Sequence, residues 1–526
     1  MRRGLKQFKI EEMTVFHNYY GTTNGSKLYE DDEFSSNLKP KTCYFPRRYV
    51  LVILGFIGMF NVYAMRVNLS VAMVAMVNQT TDKNSSIHQI TECPNLLPNE
   101  PQNKTIFKGD QYNWDTTAQG HILGSFFYGY IATQLPGGIL SEKFGAKWLF
   151  GGGVLVTAVL SLLTPVAASW GTAAFIVVRV LEGLGEGVTF PAINFAISTW
   201  APKIERSRLS TLIFTGNQFG NVVSMSISGV LCSTDFLGGW PSCFYVFGAI
   251  GCVWFLFWGG LIYETPASHP SISKEELFFI EQNKDEKPKE KAAIPWKSIF
   301  TSVPMWALVF AHIGHNFGFL ILLTEMPTYL SSILHFDLKS NGVLSALPYI
   351  AQALTAWVAS YIADKLRKSN KLSITTIRKV FNSIGLFGPA ICLIGITVSG
   401  CRPELIVVLL TFAMAFNGCV YSGFNVTHVD MCPEYAGTTF AITMAISNFS
   451  GIIGPAIVGY FTSNGQTIAN WSDVFYTAAG VYTVCGAIFA GFGSAELQSW
   501  GTTTEKSKTD AKPEKEMKEL EVKNHR

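Results

Sequence analysis

The sequence predicts an all-α membrane protein with twelve transmembrane helices in two pseudo-symmetric six-helix bundles. Three observations lead to this prediction: a high apolar content, apolar blocks of one recurring length, and a similarity between the two halves of the chain. Of the 526 residues, 48% are hydrophobic and 15% are charged, whereas average soluble domains have about 25% charged residues. So little polar surface excludes an ordinary water-soluble multidomain protein.

The apolar residues are gathered in blocks of about 20, the length of helix that crosses roughly 30 Å of hydrocarbon. Each block is therefore predicted to span the membrane. The first six spans are predicted near residues 49–77, 117–140, 148–168, 172–199, 209–232 and 242–263. The last six are predicted near residues 303–330, 340–363, 376–399, 404–427, 436–462 and 473–493.

The two halves of the chain resemble each other. Six identities share one offset of 231 residues and follow span order: Pro202/Pro433, Asn217/Asn448, Gly220/Gly451, Trp240/Trp471, Phe244/Phe475 and Tyr245/Tyr476. Parallel halves related by an axis along the membrane normal characterise the major facilitator fold, in which the substrate site lies near mid-membrane between the halves. The expected mechanism is therefore alternating access by rocking of the halves.

Charge distribution predicts which loops face the cytosol. Lys and Arg concentrate in alternate loops and in both terminal segments, which the positive-inside rule assigns to the cytosol. We expect a cytosolic N-terminal tail, an N-terminal bundle, a cytosolic linker, a C-terminal bundle and a cytosolic charged tail at 1–48, 49–263, 264–302, 303–493 and 494–526. No cleavable signal peptide is evident, so the first span should itself direct insertion.

The long loop 78–116 then faces the outer side. It carries glycosylation sequons at Asn78, Asn84 and Asn103, which we expect to be modified. Cys93 in the same loop would need a partner such as Cys401 to form a disulfide, and the sequence leaves open whether the two meet.

Ionisable residues inside the predicted spans mark the candidate site, because a charge at mid-membrane is costly unless it faces a cavity or a partner. Arg66 lies deep in the first span, and its guanidinium suits a carboxylate or a phosphate. Arg179, Glu182 and Glu186 fall at i, i+3 and i+7 on one face of the fourth span. These carboxylates suit a proton-coupled carrier. The alternative is a static ion pair that joins two helices.

Further titratable groups lie in the second half: His312, His315 and Glu325 in span 7, and His428 at the end of span 10. A single His in a helix is more often a hydrogen-bonded core residue, an alternative that applies above all to His312. His428 lies in a polar stretch that interrupts the apolar run, which makes it the stronger candidate for a functional role.

The loop after span 2 contains Glu142, Lys143 and Gly145 within the segment 138–147. This segment resembles the major facilitator loop signature of Gly, acid, base, Gly and base, and Asp364 belongs to a weaker counterpart after span 8. We predict that these residues form a cytosolic gate. The alternative is a solvated basic loop that only obeys the positive-inside rule.

Several segments resemble a known family: YAMRVNLSVA (63–72), GSFFYGY (124–130), QLPGG (134–138), GLGEGVTFPA (183–192) and WAP (200–202). The chain resembles the anion and cation symporters of the major facilitator superfamily, which include sialin, the vesicular glutamate transporters and the type I sodium-phosphate cotransporters. The resemblance covers nearly all twelve spans. It implies that Arg66 and Arg179 bind the anion or shape its path, and that Glu186 takes part in cation coupling.

Three positions depart from that family's subgroups. His315 stands where the vesicular glutamate transporters have Arg, and Leu123 where they have His, which argues against glutamate. Asn194 stands where sialin-like proteins usually carry His, which argues against sialic acid. The expected substrate-binding residues are Arg66, Arg179, Tyr63, Asn194, His315 and His428, and the expected cation-coupling residues are Glu186 and Glu182.

The expected function is a secondary active transporter that moves a small anion, inorganic phosphate or an organic carboxylate, coupled to Na⁺ or protons. The alternatives are a proton-coupled, sialin-like exporter of acidic sugars from lysosomes and an anion sensor that transports nothing. The sequence contains no pairing of nucleophile and base, no metal-ligand spacing and no phosphate loop, so we expect no enzymatic activity, cofactor or resident metal.

The expected partners are the anion, the coupling cation and the lipid bilayer, with no nucleic acid, and the protein is expected to be a monomer. Neither terminal tail has an acidic dileucine signal. This favours the plasma membrane over a lysosomal or vesicular membrane.

Overall fold

The regular structure of the described residues is helical, except for one isolated bridge between Val77 and Tyr112. The computed structural model describes residues 45–78, 92–96, 109–283, 294–369 and 371–501. Within these ranges, nine helices or helix pairs are long and apolar enough to cross a membrane. Two long helices and one interrupted span complete the twelve spans that the sequence predicts.

The N-terminal half contributes six spans built from seven helices of the described segment. These helices are α1 (Arg47–Met76), α2 (Thr116–Phe144), α3 (Ala146–Ser169), α4 (Thr172–Gly187), α5 (Thr189–Trp200), α6 (Lys203–Cys232) and α7 (Pro241–Leu261). Helices α4 and α5 meet at Val188 and together form the fourth span. Inside this bundle α1 packs on α6, α2 on α4, and α3 on α7.

The second half repeats the pattern after a linker that contains α8 (Lys274–Gln282) and α9 (Trp296–Thr301). Its helices are α10 (Val303–Ser332), α11 (Leu338–Lys368), α12 (Ile374–Thr397), α13 (Pro403–Asn417), α14 (Phe424–Met431), α15 (Ala436–Ser447), α16 (Ser450–Phe461) and α17 (Ile468–Phe492). The pairs α13/α14 and α15/α16 form interrupted spans. Two six-helix bundles result, and the fold class predicted from the sequence is confirmed.

Polar side chains begin several helices. Asp115 accepts a hydrogen bond from Ala118 N at 2.7 Å at the start of α2, and Asp337 accepts one from Ser340 N at 3.1 Å at the start of α11. Such caps satisfy backbone N–H groups that have no partner in the first helical turn. The caps fix where each helix begins, and so they set the position of later side chains along the helix axis.

Helix α8, in the described part of the linker, is attached to the N-terminal bundle. Glu276 of α8 accepts hydrogen bonds from Arg47 N at 2.9 Å and from Arg48 N at 3.1 Å, at the start of α1. Arg48 also forms ion pairs with Glu276 at 3.1 Å and with Glu205 of α6 at 2.8 Å. A linker carboxylate therefore caps the first transmembrane helix.

The two bundles meet mainly through α6 with α11 and through α2 with α16. Gly229 of α6 lies against the backbone of Leu338 and Gly342 on α11. Thr116 Oγ1 of α2 donates to the carbonyl of Gly459 on α16 at 3.2 Å. These contacts lie at the ends of the helices that the sequence assigns to the outer side, so the bundles touch each other there.

A disulfide adds a covalent link between the halves. Cys93, in the loop after α1, is bonded to Cys401, in the loop between α12 and α13, with their Cα atoms 5.4 Å apart. Next to it, His335 Nε2 donates to the carbonyl of Glu92 at 2.8 Å. The pairing that the sequence left open is therefore present.

Candidate functional site

Arg66 of α1 lies at the centre of the candidate site. Its Nε donates to Glu186 Oε1 of α4 at 2.6 Å, and the two side chains form a buried ion pair. The guanidinium carbon lies 4.8 Å from the ring centroid of Tyr63, 4.9 Å from that of Phe126 and 4.6 Å from that of Tyr130. Carboxylate and aromatic faces together stabilise a positive charge inside the bundle.

A second ion pair lies within α4, and its carboxylate is four residues before Glu186. Arg179 Nη1 is paired with Glu182 Oε2, and the Thr164 hydroxyl of α3 donates to Glu182 Oε1 at 2.9 Å. Both oxygens of Glu182 are therefore occupied. In these two ion pairs, the buried atoms Arg66 Nη2, Arg179 Nε and Glu186 Oε2 have no hydrogen-bond partner. Arg66 Nη2 belongs to the ion pair with Glu186, so Arg179 Nε and Glu186 Oε2 are available to a further ligand.

Arg66 and Arg179 line one cavity between the bundles. The lining residues are Arg66, Val67, Ser70, Leu123, Phe126, Phe127, Arg179, Leu323 and Thr324. Leu323 and Thr324 belong to α10 of the C-terminal bundle, so both halves contribute to the wall. The cavity has room for about one water-sized molecule. A bound anion therefore requires the cavity to widen.

Tyr63 and Asn194 differ in their relation to this cavity. The Tyr63 ring lies against Arg66 and makes an edge contact with Phe190 at 6.2 Å. Asn194 is exposed, and its amide donates to the Phe190 carbonyl at 3.0 Å, within its own helix. The structure thus brings Tyr63 to the arginine, while Asn194 lies one helical turn beyond Phe190 and is not part of the cavity wall.

The predicted histidines lie inside the C-terminal bundle. Thr443 Oγ1 of α15 is 3.0 Å from His312 Nδ1 and 3.4 Å from His428 Nε2, so it joins the two rings. His428 Nδ1 also lies 3.3 Å from Thr439 Oγ1. The hydrogen-bonded core alternative considered for His312 describes both residues in this conformation.

His315 has a different environment. It is buried, and its Nδ1 has no hydrogen-bond partner. Its ring lies 5.7 Å from Phe424 and 6.1 Å from Tyr421. The Tyr421 hydroxyl accepts a hydrogen bond from Gln218 of α6 at 3.3 Å, which links the two bundles. His315 therefore lies near the bundle interface.

Sequence reasoning missed a group of amides at that interface. Asn448 Nδ2 donates to Gln134 Oε1 of α2 at 2.8 Å, across the interface. Asn316 Nδ2 donates to Ser447 Oγ at 2.7 Å and to Asn448 Oδ1 at 3.3 Å. The available signal was that amides inside apolar spans need partners. The internal repeat marks Asn448 in the sequence but does not predict its partner.

The predicted cytosolic gate is brought together only in part. Gly145 has a φ of 87° between α2 and α3, a conformation that favours glycine. The Glu264 carboxylate accepts from Ala146 N at 2.5 Å and from Lys147 N at 3.2 Å, so it caps α3 beside this turn. Sequence reasoning did not select Glu264.

The other gate residues do not meet there. Lys143 is exposed, with its Nζ 5.5 Å from the Phe144 ring centroid. Asp364 is exposed on α11 and takes part in none of the ion pairs found among the described residues. The side chain of Glu142 lies outside the described part of the structure. An ion-pair latch between Lys143 and Asp364 is therefore absent from this conformation.

The predicted glycosylation sites are described only at Asn78. This residue follows α1, and its backbone N–H donates to the Tyr112 carbonyl at 3.0 Å. Asn84 and Asn103 lie outside the described residues.

Comparison with known proteins finds one family over most of the chain. The family model described as Major Facilitator Superfamily matches residues 51–455. A Drosophila ananassae protein named as an inorganic phosphate cotransporter is 41% identical over 458 residues, 86% of this chain and 93% of that protein. Human sialin is 42% identical over 454 residues, 86% of this chain and 90% of sialin. Human vesicular glutamate transporter 2 is 37% identical over 491 residues, 92% of this chain and 81% of that protein.

Solved structures share the fold at low sequence identity. A bacterial homologue of the human lysosomal transporter Spinster, in an inward-facing and occupied conformation, has a TM-score of 0.65 and 12% identity, and the match covers 86% of this chain and 99% of that one. A D-xylose-proton symporter has a TM-score of 0.60 and 14% identity, with 87% and 99% covered. At these identities the likeness concerns the fold alone.

Proposed function

Because the chain belongs to the major facilitator superfamily, we propose that it is a secondary active transporter that moves a small anion together with a cation by alternating access. One observation carries the proposal. Arg66 faces a cavity between the bundles and forms an ion pair with Glu186, a buried carboxylate. Anion-binding and cation-binding groups are thus in direct contact.

This contact supplies a coupling mechanism. An anion that binds Arg66 competes with Glu186 for the same guanidinium, because a bidentate donor pairs best with one carboxylate or phosphate at a time. Protonation of Glu186, or binding of Na⁺ to it, removes the competing charge and leaves Arg66 for the anion. Cation and anion then bind together and leave together, which is the requirement for symport.

The charge balance of the site agrees with this mechanism. Arg66, Arg179, Glu182 and Glu186 carry no net charge when all four are ionised. Neutralisation of Glu186 leaves one net positive charge, which a monoanion balances inside the membrane. Uncompensated charge there is costly, so the empty site favours the ion pair and the loaded site favours the anion with its cation.

Within this proposal the two glutamates have different roles. Glu186 has a free oxygen and pairs with the arginine that faces the substrate cavity. Glu182 has both oxygens occupied by Arg179 and Thr164. We assign cation coupling to Glu186, while Glu182 holds Arg179 in position against α3, as the static ion-pair alternative supposes. Arg179 contributes its unpartnered Nε to the anion.

The proposed substrate class rests on the charge of this site. Inorganic phosphate as a monoanion, or a small monocarboxylate, matches one free guanidinium together with the Arg179 Nε. A dicarboxylate would need a second fixed positive charge, whereas the C-terminal bundle presents His315 near the interface. The relative named as a phosphate cotransporter supports this choice. The similarity to human sialin supports the alternative, a proton-coupled carrier of acidic sugars.

In an alternating-access cycle, the hydrogen bonds between the bundles form and break. The Gln134–Asn448 and Gln218–Tyr421 hydrogen bonds cross between the bundles, so they must break when the halves separate. The turn at Gly145, where Glu264 caps the start of α3, is the part of the predicted cytosolic gate that has direct contacts. We propose that this turn, with Lys143 and Asp364 nearby in other conformations, controls the cytosolic side.

The protein is a multi-pass membrane protein, and we propose the plasma membrane as its location, since neither tail carries an acidic dileucine signal. The similarity to a vesicular transporter supports the competing location in an internal membrane. Labelling of intact cells with an impermeant amine reagent separates the two. Absence of the protein from the labelled fraction would contradict a surface location. A monomer in the bilayer is part of the same proposal.

Uptake into proteoliposomes tests the function directly. Labelled phosphate, glucuronate, sialate, urate and glutamate are offered one at a time, with sodium and proton gradients imposed separately. Gradient-driven accumulation of phosphate or of a carboxylate is expected. Binding without accumulation would identify an anion sensor instead, and chemical conversion without translocation would identify an enzyme. The gradient that drives uptake identifies the coupling ion.

A further inference from the structure

A buried carboxylate in the C-terminal bundle takes no part in the mechanism above. Glu325 of α10 is 4% exposed, and its Oε1 has no hydrogen-bond partner. The residue lines a cavity enclosed by α10, α13 and α17, together with Tyr329, Leu410 and Trp471. This cavity has room for about one water-sized molecule. It is separate from the cavity of Arg66, which touches α10 at Leu323 and Thr324.

The walls of this second cavity are apolar and aromatic. The Tyr329 ring lies 5.1 Å from the rings of both Trp471 and Phe475 of α17, and α13 contributes Leu410. Glu325 and Tyr329 are the titratable groups among the lining residues. No charged side chain from a neighbouring helix faces Glu325 in the described structure.

The nearest charged and titratable groups on the surrounding helices lie elsewhere. Asp473 of α17 and Glu404 of α13 are exposed, and Lys339 of α11 is exposed as well. Arg66 of α1 is occupied by Glu186 on the other side of α10. His315 precedes Glu325 by ten residues, roughly 15 Å along the helix. None of the ion pairs among the described residues includes Glu325.

An ionised carboxylate without a partner is costly in the membrane interior. Its charge must be compensated by a bound cation or removed by a proton. A metal cation such as Na⁺ is held by several oxygen ligands, yet the lining side chains supply only one carboxylate and one phenol as oxygen groups, beside a thioether, an indole and hydrocarbon. A proton needs only the carboxylate itself, and one water in the cavity suffices to exchange it.

We propose that Glu325 is a proton-binding site of the C-terminal bundle, distinct from Glu186. Glu325 holds a proton at neutral pH and exchanges it through the cavity between α10, α13 and α17. The assignment does not depend on which anion the protein moves, or on whether it moves one. It gives the second half of the molecule a titratable site of its own, beside the one that the coupling mechanism uses in the first half.

Infrared difference spectra of the purified protein between neutral and alkaline pH test the assignment. A protonated carboxyl group has a carbonyl stretching band that disappears on deprotonation. The wild type should show this band, and Glu325→Gln should lose one component of it. The matched control Glu404→Gln, which changes an exposed glutamate on α13, should keep that component. An unchanged spectrum in Glu325→Gln would overturn the proposal.

Thermal unfolding gives a second measurement, independent of the spectra. Alkaline pH should lower the Tm of the wild type more than that of Glu325→Gln, because deprotonation leaves a charge in an apolar cavity. Replacing choline by Na⁺ should shift both Tm values equally. A Na⁺-dependent increase in Tm that is lost in Glu325→Gln would assign a metal cation and contradict the proton.

The folding of variants with a neutral side chain at position 325 tests whether an ionised carboxylate is required there. Glu325→Gln and Glu325→Leu should both fold, because the wild-type side chain is itself neutral under the proposal. If both fail to fold while Glu404→Gln folds, the ionised carboxylate is required at this position and the proposal is wrong.

Discussion

At the scale of single residues, the contact between Arg66 and Glu186 decides how the site works. Either side chain alone would be a buried charge in hydrocarbon, and each neutralises the other. Removing one member of a buried pair costs about 3–5 kcal/mol, because the remaining charge is left uncompensated. Stability and transport therefore depend on the same two side chains. Variants must separate the loss of stability from the loss of transport.

Arg66→Ala should abolish anion binding and lower the stability of the protein by about 3–5 kcal/mol, since Glu186 loses its partner. Adding Glu186→Gln to this variant should restore most of the stability, because no charge is then left unpaired. The double variant should still not bind the anion. Unfolding of purified protein and binding of labelled phosphate measure the two quantities. Anion binding by the double variant would remove Arg66 from the binding site.

Glu186→Gln should remove the part of uptake that depends on the cation gradient, because its side chain can no longer gain or lose a proton. Glu182→Gln is the matched comparison four residues earlier on the same helix. It should reduce stability through Arg179 and Thr164 but leave gradient dependence in place. Uptake with and without an imposed gradient measures the difference. Gradient dependence in Glu186→Gln equal to that of the wild type would assign coupling to another residue.

At the scale of helices, capping links segments that the sequence treats as separate. Helix α8 of the linker supplies the carboxylate for the start of α1, and Glu264 supplies one for the start of α3. A negative group at a helix N-terminus satisfies free N–H groups and interacts favourably with the helix dipole. The linker thereby helps to hold α1, the helix that carries Arg66.

Glu276→Ala should lower the stability of the protein by about 1–2 kcal/mol, because the N–H groups of Arg47 and Arg48 lose their acceptor. Glu281→Ala, at an exposed position of the same helix, is the control and should change stability little. Chemical unfolding of the full-length protein in detergent measures both. Equal stability of the two variants would mean that the linker helix does not support α1.

At the scale of the whole molecule, the outer ends of the bundles are joined by both packing and a covalent bond. The contacts of Gly229 with Gly342 and of Thr116 with Gly459 must separate when the outer side opens. The Cys93–Cys401 disulfide and the His335–Glu92 hydrogen bond connect a loop of the first half to the second half at the same side. These links favour the conformation in which the outer side is closed.

Cys93→Ser should therefore increase the population in which the outer side is open. Cys401→Ser should have the same effect, and the double variant should equal either single one, because all three lack the same bond. Labelling by an impermeant thiol reagent of a cysteine placed at Thr116 reports the opening, after subtraction of the label on the same variants without this cysteine, and the rate should rise several-fold. Singles that differ from the double variant would show that the cysteines act independently.

The fold and the core of the site were predictable because both follow from the free-energy cost of placing each residue in the membrane. Apolar blocks of membrane length define the spans, and a charge placed within one demands a cavity or a partner, which selected Arg66, Arg179 and Glu186. The amides Gln134 and Asn448 escaped notice because a neutral amide in a span costs less than a charge and has many possible partners. Asn194 and Asp364 were selected from motif positions, and motif position does not determine which side chains meet.

The number of spans, their grouping into two related halves and the depth of each charge depend on hydrophobicity and spacing along one chain, so they can be read from the sequence. The pairings between side chains follow from tertiary packing. Arg66 meets Glu186 from 120 residues away and Cys93 meets Cys401 from 308 residues away. Such contacts depend on how helices pack and rotate against one another, and that information is distributed over every neighbouring side chain.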